Sequence, residues 1–446
     1  MSEFYLKGDH VVGNYRSHAL ALSLADEFQS LVLELLAKRQ GVSGGKAGSM
    51  HLSVPSKNMM WTSAIVGTGV PIATGIAEAL KRESEENLVS VMFGDGAIEE
   101  GFPTVAYCQK GREKTYSEYY RTRRNSSGRV TRGMVDKAIV LDSFNDVMEP
   151  NFQQQMRDRN VVYVPNRSFT SYSPIESIEN DFRVPIFGSR NMLRMEERTE
   201  EQDYYWILDK AGLPYPESID NPEDIDCLVI VKLHHAQKKL ERGFFTCSSH
   251  DEYVEKSESL LKEGIIDQES LDGARIERYV IGPVFNLNFF YSPLEEEMPK
   301  LELLGVDWRF ESSLDGHVRL PAPQQLTMPA HQQIPEMTVV GHNTATIRES
   351  LLESAFELGE KFIDASKEHY DPGIIGPFCL QTCIDKDMNY YIYDVAPRLG
   401  GGTNVHVNVG HPYGNATWRK PMSSGRRIAM EIRRAVEQDR LDEVLT

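Results

Sequence analysis

Apolar positions recur with two different periods along the chain, and the change of period divides it. Between residues 18 and 38, Leu24, Phe28, Leu31 and Leu35 fall at i, i+4, i+7 and i+11, which predicts a helix with that face turned inward. A glycine-rich loop (42–50) and a small-residue helix (70–81) follow, and the run LVSVMFG predicts a strand ending at Asp95, which stands between two glycines. Beyond about residue 100 short β-type runs take over. Strands are expected at 137–144, 161–165, 183–188, 227–233, 274–282, 284–293 and 301–312, with long helices at about 344–367 and 424–445. The last helix repeats Ile428, Ile432, Val436 and Leu441 along one side, a core-packing stripe. The mixture predicts an α/β chain of two or three domains, since 446 residues exceed one hydrophobic core.

The sharpest local prediction is a hairpin in 378–397, FCLQTCIDKDMNYYIYDVAP, with the polar turn DKDMN between two apolar runs. A symmetric register sets Gln381 opposite Asp394 on the same face, with Cβ atoms about 5 Å apart. Such a pair is either a polar patch on a wet sheet face or two oxygen ligands for Mg²⁺, which takes few protein oxygens and fills its octahedron with water and nucleotide phosphates. The loop that follows, RLGGGTN (398–404), favours the second reading. Consecutive glycines let backbone N–H groups approach an anion, and Arg398 adds a bidentate phosphate donor. Lys232 ends the run VIVK, with His234 and His235 just beyond. It is either a solvated surface lysine or, in an ATP-binding fold, a phosphate ligand held from a fixed base. Asp95 in FGDGA reads more simply as a turn.

Composition removes several classes of function. With 48 Lys and Arg against 66 Asp and Glu, the net charge of −18 repels nucleic acid and anionic lipid. No window approaches the roughly 18 apolar residues of a membrane span, and MSEFYLKGDHVVGNYRSH lacks the pattern of a secretory signal, so a soluble cytoplasmic protein is expected. Five cysteines form no C-x-x-C pair, and Cys379 and Cys383 lie in the apolar run GIIGPFCLQTCI, where buried small hydrophobes are expected rather than a zinc site.

From about residue 101 to the end, the chain resembles the archaeal FAICAR synthetase (PurP) family of ATP-grasp ligases. The motifs are GFPTVAYCQKGREKTY, PNRSF, RVPIFGSRNMLRMEER, FYSPL, IRESLLE, GPFCLQ and GGTN. The resemblance implies a pre-ATP-grasp α/β domain at 98–188, with its N-terminal part replaced, and an ATP-grasp domain at 189–446. It implies ATP- and formate-dependent formylation of 5-aminoimidazole-4-carboxamide ribonucleotide (AICAR) to FAICAR in purine synthesis, and a homo-oligomer. By motif, Ser168 and either His342 or Asn343 would contact AICAR, Lys232 and Glu311 would bind ATP, and Gln381 and Asp394 would bind Mg²⁺. Many members have Glu at the last position. Lys232 and Arg398 would serve catalysis by neutralising charge. Where the family commonly has a glycine-rich flap after VIVK, this chain has LHHAQKKLERGFF.

Residues 1–97 resemble a different family, the alpha subunit of thiamine-diphosphate-dependent 2-oxo acid dehydrogenases, through YRSHALAL, GGKAGSMHL, IVGTGVPIATGIAEALK and FGDGA. That resemblance would place Tyr15 and Arg16 at the diphosphate and Asp95 at its magnesium. It is truncated, and Asn125 sits in the basic run RTRRNSSG, not at the end of a strand. Thiamine diphosphate is therefore not expected as a cofactor. The two resemblances meet inside GDGAIEEGFP, and the family's AICAR-binding Gly-Ser-His loop is missing. Two other readings stand beside the ligase: a thiamine-dependent dehydrogenase fragment, and a nucleotide-binding chimera without turnover.

Overall fold

In the computed structural model, the described residues are 10–14, 28–44, 46–47, 52–54, 59–63, 89–90, 102–111, 113–118, 123–124, 130–131, 135, 137–196, 201–233, 244–296, 300–329, 339–406 and 410–446. The chain divides into two compact units, Met1–Phe93 and Gly94–Thr446. Tyr15, Arg16, the helix expected at 70–81, Asp95, Asn125, His234 and His235 lie outside the described residues.

In the first unit, strand β1 (His10–Asn14) runs parallel to both β2 (Met59–Ser63) and β3 (Val89–Ser90), with β1 in the middle. Of the helix expected at 18–38, Phe28–Leu35 (α1) is described. Its expected apolar face does not hold: Leu31 is buried, but Phe28 is 69% and Leu35 47% exposed. Glu34 is buried instead, because its carboxylate accepts hydrogen bonds from the backbone N–H groups of Ser43 (2.8 Å) and Ala47 (2.7 Å). Loop amides that need an acceptor have turned the helix away from its hydrophobic stripe.

The second unit opens with a parallel pair, β4 (Val105–Gln109) and β5 (Lys137–Leu141). The strands expected at 161–165 and 183–188 shrink to isolated bridges, Tyr163 with Ile186 and Phe187 with Leu445. Pro165 and Pro185 interrupt those runs, and a residue without an N–H cannot continue a ladder. Short helices that the apolar pattern did not reveal occupy this region: α2 (Pro150–Arg157), α3 (Arg167–Tyr172), α4 (Ile175–Asn180) and α5 (Tyr204–Lys210). Asn166 and Asp203 cap α3 and α5 by accepting from the N–H groups of Phe169 and Trp206. Phe144, Phe169, Ile178 and Phe182 form the core beneath α3 and α4.

A four-stranded antiparallel sheet follows, built from β6 (Ser218–Ile219), β7 (Val229–Lys232), β8 (Phe244–Cys247) and β9 (Arg275–Arg278) in the order β8-β7-β9-β6. Helix α6 (His250–Lys262) packs against it, over a core that includes Val229, Val231 and Ile276. The larger sheet has the order β12-β11-β10-β13-β14, all antiparallel, from β10 (Val284–Tyr291), β11 (Leu301–Glu311), β12 (Val339–Ala345), β13 (Gly376–Ile384) and β14 (Tyr390–Ala396). Helix α7 (Leu352–His369) covers one face, where Phe362 stacks on Phe378 (5.2 Å) and Phe378 on Phe289 (5.1 Å). Part of the other face, around Phe290 and Leu304, is covered by α8 (Ser424–Glu437) through Ile428.

Both long helices are shorter than expected. Residues 344 and 345 pair with Asp307 and Val306 as the end of β12, so α7 begins only at Leu352. Helix α8 ends at Glu437, Asp439 adopts a left-handed conformation (φ 56°), and Leu441 belongs to a separate 3-10 turn. The stripe is accordingly graded: Ile428 is buried and Val436 exposed. Cys379 and Cys383 are both buried, as expected of small hydrophobes, and burial pushes the Cys383 thiol up to about 11. Among the described residues no helix is long and apolar enough to cross a membrane. Replacing Phe362 by Ala removes the outer ring of the aromatic stack, and the expected loss is about 3–5 kcal/mol of stability, read as a lower urea midpoint.

Candidate active site

One row of polar side chains crosses four strands of the large sheet. Asp307 on β11 pairs in register with Asn286 on β10, Asn286 with Gln381 on β13, and Gln381 with Asp394 on β14. The Gln381–Asp394 pair expected from the sequence is therefore observed, although nearer the turn the register is shifted by one residue, with Thr382 opposite Ile392 and Ile384 opposite Tyr390. Gln381 Nε2 donates to Asp394 Oδ2 at 2.9 Å, and Gln381 Oε1 accepts from Arg309 Nη1 at 3.3 Å. Arg309 also lies 3.6 Å from Glu311 on the same edge of β11, so Glu311 joins the row through a cation that the sequence reading did not single out. Asp394 is buried.

At the other end, the fully buried Asp307 carboxylate accepts from Asn286 Nδ2 (2.7 Å) and Asn288 Nδ2 (2.6 Å), and lies 2.7 Å from His342 Nδ1. His342 thus stands on the face of the row. Its neighbour Asn343 is exposed and pairs with Trp308, on the opposite face, because successive residues of a strand alternate. The amide oxygens of Asn286 and Asn288 are buried without a hydrogen-bond partner. Each such acceptor costs about 1–3 kcal/mol, a cost that a site tolerates where something bound completes it. Asp307 also constrains the glycine loop. A Cβ at Gly402 would overlap its carboxylate, and one at Gly401 would come within 3.8 Å of His342 Nε2.

Lys232 closes the site from the smaller sheet. Its buried ammonium lies 2.6 Å from Glu277 Oε2, and donates to Tyr205 Oη (2.9 Å) and to the Tyr393 carbonyl (3.4 Å). Tyr393 precedes Asp394, so the lysine and the metal-ligand candidates are brought together. Glu277, itself fully buried, is held from its other oxygen by Arg275 at 2.7 Å, and the Arg275 guanidinium covers the Tyr205 ring at 3.8 Å.

Arg398 is buried beside a carboxylate that sequence reasoning missed. Glu196, the last residue of the 3-10 turn Asn191–Glu196, sits 2.8 Å from Arg398 Nε and accepts from Arg398 Nη2 at 3.0 Å. It also accepts from Arg167 and from Thr170 of α3, both at 3.0 Å, and Ser168 lies between them on that helix, half-buried. The helix that carries Ser168 is thus joined to Arg398 through one side chain.

Three family models match the sequence: a domain of unknown function (DUF1297) at residues 252–446, a protein of unknown function (DUF1246) at 89–219, and the dehydrogenase E1 component at 2–104. A synthetase of 5-formaminoimidazole-4-carboxamide-1-(beta)-D-ribofuranosyl 5'-monophosphate from Methanobrevibacter smithii is 36% identical over 379 residues, covering 83% of this chain and 98% of that protein. The synthetase of the same name from Methanocaldococcus jannaschii is 40% identical over 352 residues, covering 79% and 91%. The chain belongs to the FAICAR synthetase family. A crystal structure of an IMP biosynthesis protein PurP from Thermococcus kodakaraensis superposes with a TM-score of 0.56 at 30% identity, covering 79% of this chain and 95% of that one.

Family membership accounts for the second unit, whose two sheets carry the ATP-grasp arrangement expected from the resemblance. The first unit is matched by the dehydrogenase model instead, and the two matches overlap at 89–104, around GDGAIEEGFP. Within the FAICAR synthetase unit, Glu196, Glu277, Asp307 and Arg309 are the site residues that periodicity could not reveal. Each acts through partners distant in sequence, Glu196 and Arg398 being 202 positions apart. The partial signal available was the charged character of Glu277 and Asp307 inside otherwise β-type runs. Replacing Glu277 by Gln leaves Lys232 and Arg275 without their shared buried carboxylate. The expected loss is about 3 kcal/mol, seen as a lower midpoint in chemical denaturation.

Proposed function

We propose that the protein is an ATP- and formate-dependent ligase that formylates AICAR to FAICAR, as the names of its relatives suggest. The observation that carries this reading is the convergence of Lys232 on the strand of Asp394, with Gln381 beside it in register. A cationic group and two candidate oxygen ligands then stand on neighbouring positions, the composition that a nucleotide triphosphate with its divalent ion requires.

The donor set fits Mg²⁺, being two hard side-chain oxygens on one sheet face. Turning the Gln381 amide exchanges its nitrogen and oxygen and sets both oxygens towards the same point. Gln381 and Asp394 would hold the ion, which supplies charge neutralisation on the phosphates. Lys232 would donate to a phosphate oxygen in place of its long contact to the Tyr393 carbonyl. Arg398 would add donors beside the glycine loop, whose close approach to Asp307 requires Gly402.

In chemical terms, a formate oxygen attacks the γ-phosphorus of ATP and ADP departs. The AICAR amine then attacks the carbonyl carbon of formyl phosphate, loses its proton, and expels phosphate. No covalent bond to the protein forms in either step. The residues contribute position and charge, which is the larger part of catalysis in phosphoryl transfer. Ser168 and His342 are assigned to the acceptor, with His342 preferred over Asn343 because His342 shares the face of the polar row.

The direct test omits ATP, formate and AICAR in turn while FAICAR is followed chromatographically and ADP enzymatically. Product that needs all three supports the ligase; ADP release indifferent to formate and AICAR refutes it. In the same assay Asp394→Ala should abolish turnover, at least 100-fold down, with the fold retained by circular dichroism. Titration with thiamine diphosphate and Mg²⁺ in a calorimeter should show no saturable heat; micromolar binding would restore the dehydrogenase reading of the first unit.

A further inference from the structure

Glu196 answers two guanidinium groups with one carboxylate. Its Oε1 faces Arg398 Nε at 2.8 Å, and its Oε2 accepts from Arg398 Nη2, Arg167 Nη1 and Thr170 Oγ1, each at 3.0 Å. The side chains of Glu196 and Arg398 are only 2% and 8% exposed, whereas Arg167 is 48% exposed. The three charges sum to one positive charge, reachable from solvent on the Arg167 side. Arg398 is anchored again by its own Nη1, which donates to the Leu399 carbonyl at the start of the glycine loop.

A planar guanidinium on a flexible stem is useful in phosphoryl transfer only when its plane is fixed before the charge develops. The hydrogen bonds from Nη2 to Glu196 and from Nη1 to the Leu399 carbonyl, with the 2.8 Å ion contact of Nε to Oε1 beside them, hold that plane. The same carboxylate holds the first turn of α3, which carries Ser168 between Arg167 and Thr170. Neither Arg398 nor α3 can turn without releasing Glu196, so the nucleotide side and the acceptor side of the site are mechanically joined there.

We propose that Glu196 is a positioning residue that orients the Arg398 guanidinium towards the transferring phosphoryl group and locks the acceptor helix α3 to it. The proposal rests on the ligase reading for its reaction, but not for its geometry. Glutamine at this position keeps the shape and loses the charge; its amide nitrogen then faces a guanidinium donor to donor, and one arginine swings away.

The experiment is a double-mutant cycle on the full-length protein, with Glu196→Gln, Arg398→Ala and the pair combined. Each single variant is expected to lower kcat for ADP release about 100-fold, with KM for AICAR within about threefold. The double variant should be no slower than Arg398→Ala alone, because a residue that acts through another has nothing further to lose. Losses that multiply to about 10,000-fold, or a kcat within twofold of wild type in Glu196→Gln, overturn the proposal. If Glu196→Gln does not fold, Glu196→Asp keeps the charge but is too short to hold both arginines. It should lose about tenfold in kcat with the fold retained by circular dichroism, and full activity overturns the proposal. The cycle is also read on calorimetric affinity for a non-hydrolysable ATP analogue with Mg²⁺, which needs no acceptor. If wild type makes no FAICAR, the reaction assignment fails, and the affinity cycle still decides on Glu196: non-additive losses support positioning, independent losses refute it.

Discussion

Four side chains from four strands stand in line only if every intervening pair of strands keeps its register, and the site depends on that alignment. Asp307, Asn286, Gln381 and Asp394 are separated by as much as 108 residues in sequence but by single steps across the sheet. A slip of one residue in any of the three pairings would turn part of the row into the core under α7, where Leu287, Leu380 and Val395 now sit. Three irregularities interrupt the ladders of this sheet, between Asn288 and Phe289, between Gln381 and Thr382, and between Phe310 and Glu311. They allow the strands to twist without disturbing the polar positions themselves. The aromatic stack of Phe289, Phe378 and Phe362 on the reverse face holds the same strands in place.

The parts of this arrangement visible in the sequence are those set by neighbours along the chain. The hairpin of β13 and β14 could be read from its polar turn, DKDMN, between two apolar runs, and Gln381 does face Asp394, but the irregularity between Gln381 and Thr382 that restores this pair left no mark in the sequence pattern. Lys232 was visible as the polar end of an apolar run. Glu196, Asp307 and Arg309 were not, since their roles come from partners on other elements, and a charged residue in a β-type run looks the same whether it faces solvent or a buried guanidinium. The misread elements have equally local causes. Pro165 and Pro185 interrupt two apolar runs that otherwise look like strands, and α3 and α5 announce themselves only by their capping Asn166 and Asp203. The face of α1 was read from its leucines, while the hydrogen bonds offered by the loop at 43–47 chose Glu34.

The two units are matched by different family models. The polar groups that the second unit buries are largely paired with each other: Lys232 and Arg275 on Glu277, Arg398 and Arg167 on Glu196, Arg427 on Glu302 and Glu431. Buried ion pairs of this kind add little to net stability relative to apolar packing, but they punish any other arrangement heavily. In a site that must present cations to an anionic substrate, that penalty serves orientation.

The close approach of Gly402 to Asp307 has a consequence for how this sequence can change over time. No side chain fits at 402 while an aspartate fills the space beneath it. A methyl group at 402 becomes acceptable only after residue 307 has been shortened, and shortening 307 first abandons Asn286, Asn288 and His342. Each change is harmful alone and the order of events matters, so the two positions are bound by reciprocal sign epistasis. A lineage that alters the floor of this loop must cross a valley of fitness or remain where it is.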